Sequence, residues 1–85
     1  MQKILVVEDD RKLNQALCYA LEKQGYEPVP AFSIEEARRL YRELQEKAAL
    51  QLVIQDVNLP DGEGFAFCKW VKEQGNIPVI FLTAR

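Results

Sequence analysis

Four short apolar runs alternate with three stretches in which apolar residues recur at helical spacing. That alternation constrains the fold of the 85-residue chain more than any other feature. The runs are Lys3 to Val7, Tyr26 to Pro30, Gln51 to Gln55 and Pro78 to Leu82, each of strand length. The two prolines of the second run suit an edge strand, because proline gives no N–H to a ladder. Leu13, Ala16, Leu17, Ala20 and Leu21 mark the first helix, and Gly25 is its stop. Ser33 and Glu36 form a capping box before a helix with Ala37, Leu40, Tyr41 and Leu44 on one face. A third helix is predicted from about Gly64 to Gln74, with Phe65, Cys68 and Val71 facing the core and Gly75 ending it. Phe67 and Trp70 fall off that stripe. They leave two readings open, packing beside neighbouring helices or offering a surface to a partner. The order β-α-β-α-β-α-β, with helical crossovers, implies a parallel sheet with helices on both faces, built as one domain.

Composition removes several classes of function. The net charge of −2 gives no general attraction to nucleic acid. Arg38, Arg39, Arg42 and Lys47 alternate with Glu35, Glu36, Glu43 and Glu46, the pattern of a solvated helix face. There is no histidine, which excludes His-based general base catalysis and the usual zinc sites. Cys18 and Cys68 are too far apart for a redox or metal motif and read as reduced core thiols. No apolar run is long enough to span a membrane, and Glu8-Asp9-Asp10 interrupts any signal-peptide pattern, so the expected location is the cytoplasm. A chain this short buries little more than about 60% of its unfolded surface, so its stability margin is narrow.

The acids are more informative. All strands of a parallel sheet end at one edge, where open α/β sheets bind ligands. The first strand ends there in Glu8, Asp9 and Asp10, the third in Asp56 and the fourth in Thr83. Helix capping accounts for one of the first three acids, but not for three beside a fourth on another strand. Two carboxylates about 4 Å apart repel by roughly 4 kcal/mol at an effective dielectric near 20. Such a cluster must hold protons or bind a cation, and an open, oxygen-only site suits Mg²⁺. There is no Gly-rich phosphate loop, and a carboxylate is the plausible nucleophile, as in an aspartyl-phosphate.

The stretches "KILVVEDD", "LVIQDVNLPDGEGF" and "IPVIFLTAR" together resemble the receiver domain of two-component response regulators, over the whole chain. The resemblance implies a flavodoxin-like parallel sheet of order 2-1-3-4, continued in a whole receiver by a fifth strand and further helices. It implies that a histidine kinase donates a phosphoryl group to Asp56. Mg²⁺ would be held by Glu8, Asp9, Asp56 and the backbone carbonyl of Asn58, with Asp9 the more direct of the acid pair. Thr83 would be the hydroxyl that swings toward the phosphate, with small Ala84 leaving room, and Pro60, Asp61 and Gly62 would turn the chain away. Asp10 is read more simply as the helix N-terminus. The forms "ILVVEDD" and "LTAR" look most like regulators with a winged-helix DNA-binding domain, which would contact DNA in place of this segment.

The chain departs from the pattern by stopping after the Thr-Ala pair. The phosphate-gripping lysine at the end of the family's fifth strand has no counterpart here. The expectation is a truncated receiver whose fourth strand, Pro78 to Leu82, is an exposed edge that invites self-association. A non-catalytic association module is therefore one alternative. Another is a haloacid-dehalogenase-type phosphatase, but its DxDx[TV] motif is absent after the first strand.

Overall fold

The computed structural model describes residues 2–56 and 64–82. Strands β1 (Lys3–Val7), β2 (Glu27–Ala31), β3 (Leu50–Asp56) and β4 (Val79–Leu82) form one parallel sheet in the order β2-β1-β3-β4. Helices α1 (Arg11–Lys23), α2 (Ile34–Glu46) and α3 (Gly64–Gln74) make the crossovers. The predicted alternation and strand order both hold. β3 is one residue longer at each end than its apolar pattern, so Asp56 is its last paired residue, opposite Leu82. β2 runs one residue later than expected, and its prolines stand at the edge of the sheet, pairing only toward β1.

Register assigns the sheet residues to two faces. Leu5, Val53, Val79 and Val29 are aligned across the strands, as are Val7, Gln55, Phe81 and Ala31. With Ile34, Ala37, Tyr41, Leu44, Phe67 and Val71 from α2 and α3, this face forms the main buried cluster. The opposite face carries Ile4, Val6, Leu52, Ile54 and Ile80 in register. Ile4 and Val6 are buried there, Leu52 and Ile54 half-buried, and Ile80 is 46% exposed.

The helix ends follow local chemistry. Ser33 caps α2 by accepting from Glu36 N at 3.1 Å. The returning bond of the predicted capping box goes elsewhere: Glu36 Oε1 accepts from Phe32 N, one residue before the cap. α1 and α2 both end in Schellman turns. After α1 the left-handed residue is Gly25 (φ 92°), with Tyr26 N donating to Leu21 O and Gly25 N to Glu22 O. After α2 the same bonds run from Ala49 N to Leu44 O and from Ala48 N to Gln45 O, and Ala48 itself adopts φ 51°.

Two expectations about helix faces are corrected. Ala16 and Ala20 are exposed, Leu13, Leu17 and Leu21 are half-buried, and the one buried residue of α1 is Asn14. In α3 the core aromatic is Phe67, fully buried, whereas Phe65 is 68% exposed and lies against Phe81 with ring centroids 5.3 Å apart. Cys68 and Val71 are buried as expected. Trp70 packs between the helices, edge-on to Tyr41 at 5.2 Å and stacked on Phe67 at 5.9 Å, with the Arg38 and Arg42 guanidinium groups over its ring. Of the two readings left open for Phe67 and Trp70, helix packing is the one observed. Both cysteines are free thiols, but Cys18 is half-buried and does not belong to the core.

Candidate functional site

The end of β1 and the end of β3 are neighbours, because Val7 pairs with Gln55. The next residues therefore meet: Glu8 and Asp9 follow β1, and Asp56 closes β3. Each of these three carboxylates offers an oxygen within 4.8 Å of the other two. Glu8 is 3% exposed and Asp56 6%, while Asp9 is open to solvent. Opposite ligands in an octahedral Mg²⁺ sphere lie ~4.2 Å apart at ~2.1 Å bonds. The 4.8 Å limit is a few tenths of an ångström wider than that, a gap side-chain rotation can close, and the all-oxygen donor set suits a small, hard divalent cation.

The turn from β1 into α1 is closely bonded. Glu8 N donates to Ala31 O at 3.0 Å, extending the β1–β2 pairing by one step. Asp10 N donates to Glu8 Oε2 at 3.0 Å, and Asp10 Oδ1 accepts from Leu13 N at 3.1 Å, making Asp10 the N-cap of α1. That is the simpler role expected for Asp10. It leaves Glu8, Asp9 and Asp56 as the cluster.

Electrostatics marks Glu8 as the strained member. Burial, together with the Asp56 and Asp9 carboxylates beside it, pushes its pKa up to about 7, although the bond from Asp10 N pulls the other way. A carboxyl group poised near neutrality beside two others belongs to a cluster that must share protons or take a cation.

Thr83 and Asn58 lie outside the described residues, as do Pro60, Asp61, Gly62 and Ala84. Sequence reasoning missed Asn14. Its signal was a polar residue sharing a helical face with Leu17, Cys18 and Leu21, a position where an amide is tolerated only with partners. A surface depression of about 750 Å³ runs along α2 past Arg39 and Glu43, and none of Glu8, Asp9 and Asp56 lines it. Arg39 there is paired with Glu36 at 3.7 Å and Glu43 at 3.4 Å, so this is the solvated face the charge pattern predicted. No helix among the described residues is long and apolar enough to cross a membrane.

Comparison with known proteins agrees with this architecture. Residues 4–85 match the response regulator receiver domain family. The chain is 37% identical over 87 residues to the phosphate regulon transcriptional regulatory protein PhoB of Escherichia coli, covering 99% of this chain and 36% of PhoB. It spans about a third of the length of the curated relatives it matches. Among solved structures, the non-phosphorylated HemR receiver domain of Leptospira biflexa superposes with a TM-score of 0.84 at 40% identity, over 100% of this chain and 66% of that one. TrrA of Thermotoga maritima, solved with Mg²⁺-BeF, gives 0.84 at 29% identity over 100% and 71% of the two chains. Its complex with the histidine kinase ThkA gives 0.83 at 29% identity over 99% and 70%. With its strand order, its acid edge and these matches over nearly its whole length, the chain belongs to the receiver domain family of two-component response regulators.

Proposed function

We propose that this chain is a phosphoacceptor module, in which Asp56 takes a phosphoryl group from a histidine kinase with Mg²⁺ as cofactor. The observation that carries the reading is the meeting of Glu8, Asp9 and Asp56 within 4.8 Å at the strand ends, with two of the three buried. Glu8, Asp9 and Asp56 would hold the ion together with the Asn58 carbonyl. When bound, the ion supplies positive charge that neutralises the carboxylates and the transferred phosphoryl oxygens. Asp56 closes a central strand, so its carboxylate stands on a rigid support from which one oxygen can approach phosphorus in line. The oxygen–phosphorus bond forms as the bond to the kinase histidine nitrogen breaks. No proton has to leave the nucleophile, which agrees with a chain that contains no histidine. Thr83 would donate its hydroxyl to the new phosphoryl group. The chain would act as a cytoplasmic switch for an effector, with transcription the favoured output because relatives such as PhoB are transcriptional regulators.

Exposure to acetyl phosphate with Mg²⁺, read by intact mass, tests the reading. A phosphoryl adduct that disappears with chelator and in Asp56→Asn supports it. Equal labelling of Asp56→Asn would refute it.

One observation favours a second property, self-association. β4 pairs only with β3 among the described residues, and Ile80 is 46% exposed. An accessible apolar strand edge is a site for pairing with a second copy. Light scattering on Ile80→Lys against wild type tests it, with a concentration-dependent dimer expected only in the wild type.

A further inference from the structure

Asn14 has no carboxylate, yet it is fully buried and bonded to the backbone that carries Glu8. Its Nδ2 donates to Glu8 O at 3.0 Å, to Ala31 O at 3.1 Å and to Val6 O at 3.2 Å. Two N–H groups serve three carbonyls, so at least one bond is shared. The three acceptors are the last but one residue of β1, the last residue of β2 and the first residue of the acid turn. Carbonyl oxygens only accept, so the orientation of the amide is fixed by chemistry: Nδ2 faces the backbone and Oδ1 faces away. Oδ1 in turn accepts from Cys18 Sγ, one helical turn on, at 3.3 Å.

The carbonyl of Glu8 lies one residue beyond the last residue pair of β1 and β2, and the Asn14 amide is a donor to it there. The β1–α1 turn is thus pinned from outside by Asp10, which caps the helix, and from inside by Asn14. Resting on the cation-site reading above, we infer that Asn14 is a positioning residue: its amide fixes the backbone from which Glu8 and Asp9 project, and so holds their carboxylates toward Asp56. Without it, three buried carbonyls lose a donor, and the turn must shift to find water. The acid side chains move with it. A cation site whose ligands are no longer held together binds its ion more weakly even when the fold survives.

The test separates position from stability. Mn²⁺ serves as a paramagnetic probe of hard-cation affinity, titrated against folded protein and read by the electron-spin signal of free Mn²⁺. Asn14→Leu removes the donors, and Asn14→Ser keeps one short donor. Val71→Ala opens a cavity in the opposite, apolar core as a destabilised control. The expected result is Mn²⁺ binding about 10- to 100-fold weaker in Asn14→Leu, partial recovery in Asn14→Ser, and wild-type affinity in Val71→Ala despite its lower Tm. If Asn14→Leu does not fold, Asn14→Ser and Cys18→Ala carry the comparison, each expected to weaken binding. Wild-type affinity in every folded variant at Asn14 and Cys18 would overturn the inference and leave the cation site standing. A wild-type chain that binds no Mn²⁺ would overturn the cation site itself, and the role of Asn14 with it.

Discussion

Beneath α2 and α3 the buried residues of the sheet are apolar apart from Gln55, whereas at the strand ends Glu8 and Asp56 are nearly as inaccessible as the leucines. The two regions are a few residues apart on the same strands, yet they are built on opposite terms. In the first, Phe67, Val71, Tyr41, Ile34 and Leu44 close over Leu5, Val7 and Val53, and burial stabilises in proportion to apolar area. In the second, burial works against folding, because it raises the cost of charge on Glu8 while Asp9 and Asp56 stand beside it. The core can therefore be read as the support, and the acid edge as a feature that costs stability unless a proton or a cation neutralises it. Variants that strike one region should leave the other's property intact.

The largest effect is expected in the core. Phe67→Ala should lower the unfolding free energy by about 3–5 kcal/mol, a large fraction of what a domain of this size possesses. Phe65→Ser, on the exposed side of the same helix, should stay within about 0.5 kcal/mol. Urea denaturation of the two variants checks both. Comparable losses would mean that α3 is rotated differently on the sheet.

At the acid edge, the sign should reverse. Asp56→Asn removes a charge facing Glu8 and should raise the stability of the cation-free protein at pH 8 by about 1–2 kcal/mol. The same change should abolish the added stability that Mg²⁺ gives the wild type. Thermal unfolding with and without Mg²⁺ reads both. A destabilised Asp56→Asn would mean that its other interactions outweigh the repulsion.

pH sharpens the comparison further. Glu8 has a folded pKa of about 7 against an ordinary 4.5, so the folded state holds its proton where the unfolded state has released it. Cation-free stability should therefore be full below about pH 4.5, decline as pH rises toward 7, and level off above. Glu8→Gln should flatten that decline, and saturating Mg²⁺ should flatten it too. A Tm series across this range, on protein with and without chelator, would show it.

The smallest effect lies in the turn after α2. Ala48 occupies a left-handed position that glycine fills after α1, so Ala48→Gly should stabilise by about 0.5–1 kcal/mol. Metal affinity should not change.

Much of this was legible in the residues themselves. The four apolar runs gave the strands to within about one residue. Asp10 read correctly as the start of α1. Parallel topology brought Glu8, Asp9, Asp10 and Asp56 to one edge, and the family resemblance narrowed them to Glu8, Asp9 and Asp56. The phase of α3 was ambiguous for a geometric reason. Residues 65, 68 and 71 span an arc of about 120°, and residues 67, 68 and 71 one of about 100°, so either aromatic could have faced the core. Packing of Phe67 against Trp70 on the Tyr41 side decides it. α1 was misread because its alanines kept helical spacing without marking the buried face. Asn14 was missed because hydrophobic periodicity has no means of recognising a buried polar residue whose partners are carbonyls of β1, β2 and the turn after β1.

If the three carboxylates form one electrostatic site completed by a cation, Glu8 is the group that must report it. Its side-chain carboxyl carbon should be followed by ¹³C NMR across pH, with and without Mg²⁺. The expected midpoint is near 7 in chelator, and in saturating Mg²⁺ it should move well below that value. A midpoint at the ordinary glutamate value that Mg²⁺ leaves unmoved would contradict such a site, since Glu8 would then feel neither its neighbours nor the ion.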